Sequence, residues 1–170
     1  MNEPISLSKY VIAKLYKDNI VITDKIEENL EPEKSADVNI LFLGENKKNI
    51  VILLKEEDAM HLKDDSFQFL SSILQACKLN MADVAIINYN NQSINLNKVT
   101  KQFAPKFVII FGELPNTIKQ DATIDFYTPI NINSAVWLKA AVLDEMKENS
   151  TNAKVEKSKL WNCLKQIFKL

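Results

Sequence analysis

The stretch FLSSILQACKLNMADVAIINY, residues 69–89, decides the fold class of this chain. Its first half repeats apolar residues three and four positions apart, which is the period of an α-helix that packs on one side. Its second half, DVAIIN at 83–88, is short and apolar on both faces, as expected of a strand buried inside a sheet. A helix that leads directly into a buried strand is typical of parallel sheets covered by helices.

The same alternation continues on both sides of this stretch. Upstream, the apolar runs at 39–43 and 49–54 are separated by a turn-like segment that contains Gly44, so we expect an antiparallel β-hairpin. Downstream, a short helix carrying Val99 leads to a second buried strand, FVIIF at 107–111. The sequence therefore predicts a three-layer α/β domain whose central, mainly parallel sheet is flanked by helices.

The C-terminal third is expected to contain one strand and two helices. Residues 124–127 are a strand candidate. The segment 136–146 is expected to be helical, and because it is apolar on nearly all sides, we expect its Trp137 to be buried. A last helix at 154–168 places lysines opposite an apolar stripe, and this stripe includes Trp161.

The N-terminal part, residues 1–24, is expected to form a short amphipathic helix and a strand, NIVIT at 19–23. A charged connection separates it from the α/β domain at 37–170, and we expect a single globular domain overall. Two interpretations of the helix remain open, since its apolar face either packs on the chain's own sheet or docks on a partner. That face consists of Leu7, Tyr10, Val11 and Leu15.

Composition limits the classes of function. A length of 170 residues with 46% apolar and 25% charged residues is typical of one globular domain. All 21 basic residues are lysines, so no arginine is available for bidentate contacts to phosphates or bases. The net charge of -1 also disfavours nucleic-acid binding. No apolar run approaches the roughly 20 residues of a membrane span, and no secretory signal is visible, so a cytoplasmic protein is expected.

Cofactor and metal sites are not expected from the residues available. The only glycines, Gly44 and Gly112, exclude phosphate-binding and dinucleotide fingerprints. The only cysteines, Cys77 and Cys163, lie within apolar patterns and are too few for a four-cysteine metal site. We expect both to be buried thiols.

The order of these segments resembles a known superfamily. Residues 69–89, the strand and glycine turn APKFVIIFGELP at 104–115 and the last helix around Trp161 are similar to uracil-DNA glycosylases. Over nearly the whole chain, beginning with LSKYVIAKLY at 7–16, the order looks more like the psi-subunit family of bacterial DNA polymerase III. That family is a catalytically inert member of the same fold, and it links the clamp loader to the chi subunit.

The resemblance implies a uracil-DNA glycosylase-like fold and a vestigial pocket. The acidic residues that follow NIVILL would stand where the superfamily's catalytic loop begins, and Thr128 would occupy the position of its histidine. A hydroxyl cannot replace an imidazole there, so no catalytic residue is expected. The positions of the vestigial pocket are Glu56, Glu57, Asp58, Asn88 and Thr128.

Three functions follow as hypotheses. The favoured one is a non-catalytic adaptor that binds other proteins, with clamp-loader components as the partners that the resemblance implies. The second is a divergent glycosylase that uses Glu56, Glu57 or Asp58 as a general base. The third, a sequence-independent binder of single-stranded DNA, is the least favoured because of the missing arginines and the near-zero net charge.

Overall fold

The structure, a computed structural model, describes residues 39–114, 118 and 123–170. The predicted helix and strand of residues 1–24 lie outside the described residues. The assignment of this helix and strand therefore stays a prediction. The same holds for the boundary between 1–24 and 37–170 and for the partner-binding face. That face comprises Leu7, Tyr10, Val11 and Leu15.

Within the described residues the chain forms an α/β fold with six strands, four α-helices and one turn of 3₁₀-helix at Met81–Asp83. The strands are β1 (Leu43–Gly44), β2 (Ile50–Leu54), β3 (Val84–Asn88), β4 (Phe107–Phe111), β5 (Ile130–Ile132) and β6 (Ala135–Ala140). The helices are α1 (Asp64–Ala76), α2 (Leu96–Phe103), α3 (Leu143–Lys147) and α4 (Thr151–Phe168).

The six strands form one sheet in the order β1-β3-β2-β4-β6-β5. The four inner strands run parallel, whereas β1 and β5 pair antiparallel at the edges. The prediction of a mainly parallel sheet is therefore wrong, because the sheet is mixed. At one edge the cause is a two-residue turn at Asn133 and Ser134, both with positive φ, which joins β5 directly to β6.

The predicted hairpin between the first two apolar runs is also wrong. β3 lies between β1 and β2, so that Leu43 and Ile52 are both register partners of Ile86. The segment between β1 and β2 does not form a hairpin turn, because its backbone is bonded to the residues that enter β3. Asn46 N donates to Val84 O at 3.0 Å, and the next two residues bond the preceding 3₁₀ turn.

The segment predicted as a helix at 136–146 is mostly the strand β6, and only α3 is helical. A central strand covered on both faces is apolar all round, as a fully buried helix would be, so the pattern alone does not separate them. The predicted burial of Trp137 is confirmed, with 1% of its surface exposed, whereas Trp161 on α4 is 37% exposed. Of the strand candidate at 124–127, only Phe126 forms a bridge, to Lys139.

Apolar layers cover both faces of the sheet, which gives the three-layer arrangement. On one face Ile52 packs in a cluster with side chains of α1, α3 and α4. On the other face Val51 packs in a cluster with side chains of α2. Cys77 and Cys163 lie in the first cluster as free, buried thiols, as predicted, and burial raises the pKa of both.

Candidate functional site

The carboxyl ends of the four parallel strands meet at one edge of the sheet. Strand β3 lies on one side of β2, and helix α1 connects the two strands. Strand β4 lies on the other side of β2, and helix α2 connects β3 to β4. Sheets with this strand order place a switch point between β2 and β4, where α/β proteins commonly bind ligands outside the strand ends. Polar side chains at this edge are therefore the first candidates for a site.

The switch point itself is closed. A cavity of about 20 Å³, here called the switch-point cavity, lies among Leu54, Glu56, Phe111, Val142 and Leu143. Such a volume holds about one water molecule. Sites for small organic ligands measure roughly 300 to 1,000 Å³.

Asn88, at the carboxyl end of β3, is fully buried and uses all of its hydrogen-bonding positions within the fold. Its Oδ1 accepts from Glu56 N at 3.0 Å and from Asn90 N at 3.1 Å. Its Nδ2 donates to Glu56 O and to Ala59 O, both at 2.8 Å. The amide therefore holds the loop after β2 in place and has no bonding position left for a ligand.

Glu56 is buried as well, although the sequence places it in a stretch of charged residues. Its Oε1 accepts a hydrogen bond of 2.6 Å from the hydroxyl of Ser66, in the first turn of α1. Its Oε2 lies 3.6 Å from Lys63 Nζ. The carboxylate is thus paired on both oxygens, as a buried charge requires.

The network extends from Ser66 to α3 through Lys147. The Lys147 Nζ donates to Ser66 Oγ at 2.9 Å and to Asp65 Oδ2 at 2.6 Å, and it pairs with Asp144 at 2.6 Å. Desolvation opposes the charge of this lysine, but its bonds to Asp144 and Asp65 raise its pKa above the ordinary value. The hydrogen bond from Lys147 lowers the pKa of Asp65. These charges fix α1 to α3 beside the switch point.

The structure brings together only part of the predicted pocket. Glu56 and Asn88 are in contact, as described above. Glu57 and Asp58 are exposed and pair with Lys55 and Lys63, respectively. Thr128 is exposed, its Oγ1 lies 3.4 Å from Phe126 O, and it is not among the residues that line the switch-point cavity.

A much larger cavity of about 680 Å³ lies at the carboxyl ends of β4 and β6, and we call it the Tyr127 cavity. Its apolar lining consists of Gly112, Phe126, Tyr127, Ala141 and Val142. Its polar lining consists of Glu113, Glu145, Asn152, Glu156 and Lys159. The sequence reasoning missed this site, since only Gly112, directly after a buried strand, signalled a strand end there.

Tyr127 is held in this cavity by several bonds at once. Its backbone has a φ of +58°, which is unusual for a residue with a bulky side chain. Its N–H donates to Lys139 O at 2.8 Å, and its carbonyl accepts from Cys163 Sγ at 3.2 Å. Its hydroxyl accepts from Ala141 N at 3.0 Å. Burial, together with a hydrogen bond to Glu156, raises the pKa of this hydroxyl strongly.

A third concave surface, the Leu41 groove, measures about 490 Å³ and includes residues of the loop after β2 and of the turn after β3. Leu41 and Met60 contribute apolar side chains that are 56% and 68% exposed. The Gln92 side chain fixes the Leu41 backbone through two bonds of 2.8 Å. Gln102 binds the Ile40 backbone in the same way, at 2.8 and 2.9 Å.

Comparison with known proteins assigns no family. No protein-family model matches the chain, and no curated protein matches it significantly. Among the helices of the described residues, none is long and apolar enough to cross a membrane. A proposal about function therefore depends on the surfaces described above.

Proposed function

We propose that this chain is a non-catalytic adaptor that binds another protein through the Leu41 groove. The observation that carries the proposal is the pair of exposed apolar side chains, Leu41 and Met60, on one concave surface. Exposed apolar side chains grouped on one surface are typical of protein-binding sites. Phe42 follows Leu41 directly, but its ring packs edge-on against Phe103 and does not line the groove.

The charge of the groove indicates the chemistry of the partner. Among the described residues, the ionisable groups that line it are Glu57 and Asp58, whose side chains are 72% and 82% exposed. A segment with an apolar anchor and a neighbouring basic residue complements this surface. Charged residues at the rim of an interface, such as these carboxylates, contribute more to the rate and specificity of association than to affinity.

The closed switch point supports the non-catalytic part of the proposal. Asn88 and Glu56 are bonded within the fold, and the cavity beside them has room for about one water molecule. The similarity to the psi-subunit family makes a clamp-loader component the first partner to test. The fold is compatible with other partners, since a fold by itself does not determine function.

The test is reconstitution of a defined complex. The full chain is purified from its own cells, a stoichiometric partner is identified, and its binding to the purified chain is measured by calorimetry. The double variant L41E/M60E is expected to weaken binding at least about tenfold, because it places two carboxylates on the apolar contact. The matched control is V155E, an exposed apolar residue of α4 outside the groove.

Three results would contradict the proposal. One is failure to recover any stoichiometric partner. Another is a partner whose binding is lost in V155E but unchanged in L41E/M60E. The third is excision of uracil from DNA by the purified chain, with loss of that activity on replacing Glu56, Glu57 or Asp58 by the corresponding amide.

A further inference from the structure

The Tyr127 cavity has the dimensions and the position of a ligand site. Its volume of about 680 Å³ lies within the range of small-molecule sites, roughly 300 to 1,000 Å³. It lies at the carboxyl ends of two parallel strands, and Gly112 and Ala141 follow those strands directly. A side chain at Gly112 would meet Val142 Cγ1 at 2.7 Å, so this part of the lining is already packed closely.

In the part of the chain that the structure describes, the carboxylates that line the cavity outnumber the ammonium groups paired with them by one. Glu113 pairs with Lys139 at 2.6 Å, and Glu156 pairs with Lys159 at 2.8 Å. Glu145 is the third carboxylate of the lining, and it forms no ion pair with another described residue. The amino end of α4 contributes about half a positive charge, which does not reverse the sign. The cavity therefore favours a cation.

Two aromatic rings of the lining already accept cations of the fold. Lys139 Nζ lies 4.2 Å from the centre of the Phe126 ring, and Lys159 Nζ lies 5.5 Å from that of Tyr127. Ammonium groups within about 6 Å of a ring centre are attracted by its electron-rich face. Phe126 is nevertheless 45% exposed, so part of its ring remains open to a ligand.

Tyr127 is preorganised for such a ligand. Its left-handed backbone and its bonded hydroxyl fix the ring in one position, and strain of this kind is concentrated at ligand sites in proteins. The hydroxyl is protonated at physiological pH, so that it can donate a hydrogen bond to Glu156. The ring and the neighbouring carboxylates thus need little rearrangement on binding.

We propose that the Tyr127 cavity binds an ammonium or guanidinium group carried on an apolar stem, with Glu145 as its counter-ion and Phe126 as its aromatic contact. The stem would contact the exposed Val142. Such a group could belong to a free amine or to a lysine or arginine side chain of another protein. The site is separate from the Leu41 groove, and its proposal does not depend on the adaptor function.

The test is a titration of the isotope-labelled full chain, followed by the backbone amide signals of Gly112, Ala141 and Glu145. The probes are n-butylammonium, its uncharged counterpart n-butanol, a capped lysine pentapeptide and the same peptide with norleucine. Saturable shifts with the charged probes alone are expected. Tighter binding of the peptide indicates a protein side chain as the source, and tighter binding of the free amine indicates a small molecule.

Variants locate the interaction. E145Q is expected to weaken binding about threefold to fivefold, the range for loss of one partly exposed ion pair. F126L is expected to weaken it about threefold through loss of the aromatic face. E148Q is the matched control, since Glu148 is exposed on the same segment but does not line the cavity. Equal binding of the uncharged probes, absence of saturation, or equal effects of E148Q and E145Q would overturn the proposal.

Discussion

The side-chain amide of Asn88 and the backbone of Glu56 form a closed pair of hydrogen bonds, 3.0 Å from Glu56 N to Oδ1 and 2.8 Å from Nδ2 to Glu56 O. The last register pair of β2 and β3 is Leu54 with Asn88. Beyond the end of β2, the Asn88 side chain thus takes the place of the backbone of β3 as the hydrogen-bonding partner of the chain. One side chain therefore fixes the loop that closes the switch point.

Replacing Asn88 by alanine is expected to lower the free energy of unfolding by about 3 kcal/mol, because several buried backbone groups lose their partners. Urea denaturation measures the change. The control N90A removes an exposed side chain that bonds only its neighbour Asn91, and we expect a change within about 0.5 kcal/mol. Equal stability of N88A and the wild type would show that the loop is held by other contacts.

The two glycines are expected to differ in their tolerance of alanine. Both have positive φ, but a Cβ at Gly44 would collide with the backbone carbonyls of Val84 and Met81, whereas one at Gly112 would meet only the side chain of Val142. Since a side chain can rotate, G112A is expected to cost about 1 to 2 kcal/mol and G44A at least about 3. Urea denaturation checks the order, and a larger loss for G112A would contradict it.

Tyr127 is expected to make the fold sensitive to alkaline pH. Its pKa is raised above the ordinary value of 10.0, first by burial and then by the hydrogen bond to Glu156. The stabilisation is complete below pH 10 and is lost as the pH rises towards the folded pKa, because the unfolded chain then releases the proton first. The free energy of unfolding should therefore fall as the pH rises above about 10, and it should fall less in Y127F.

Y89F is the comparison for this experiment. Burial also raises the pKa of Tyr89, with a smaller contribution from Glu113, but by less than that of Tyr127. Y89F should therefore reduce the alkaline loss of stability less than Y127F does. Identical pH profiles for Y127F and the wild type would contradict the prediction.

The two tryptophans are expected to report different environments. In W161F the remaining Trp137 is buried in β6 and should be shielded from iodide quenching. In W137F the remaining Trp161 is exposed beside Lys165 Nζ, 5.9 Å from its ring, and should be quenched readily. Fluorescence quenching of the two single-tryptophan variants measures this, and equal quenching would contradict the assignment of Trp137 to a buried strand.

The central elements could be predicted from the sequence because each has its own period. The apolar spacing of α1 and the doubly buried run of β3 specify these elements without knowledge of their neighbours. Strand neighbours could not be predicted in the same way. An apolar run such as Ile50–Leu54 specifies burial on both faces, but it is equally compatible with β1 or β3 beside it.

The candidate sites were predictable only where they follow strand ends. Glu56 lies two residues after the buried run of β2, and Asn88 is the last residue of β3, so their proximity at one edge of the sheet could be predicted. The Tyr127 cavity combines residues as distant in sequence as Gly112 and Lys159. These residues come together only because of the strands beside which β6 lies. The sequence pattern of β6 itself is also compatible with a helix.

Gln92 and Gln102 have a consequence for self-association. Their side chains occupy the backbone N–H and C=O groups of Leu41 and Ile40 through four hydrogen bonds. Those groups would otherwise offer a template on which a second copy could add a strand. Strand exchange between copies would first have to break these bonds. The two glutamines thus leave the Leu41 side chain exposed while they make its backbone unavailable to an incoming strand.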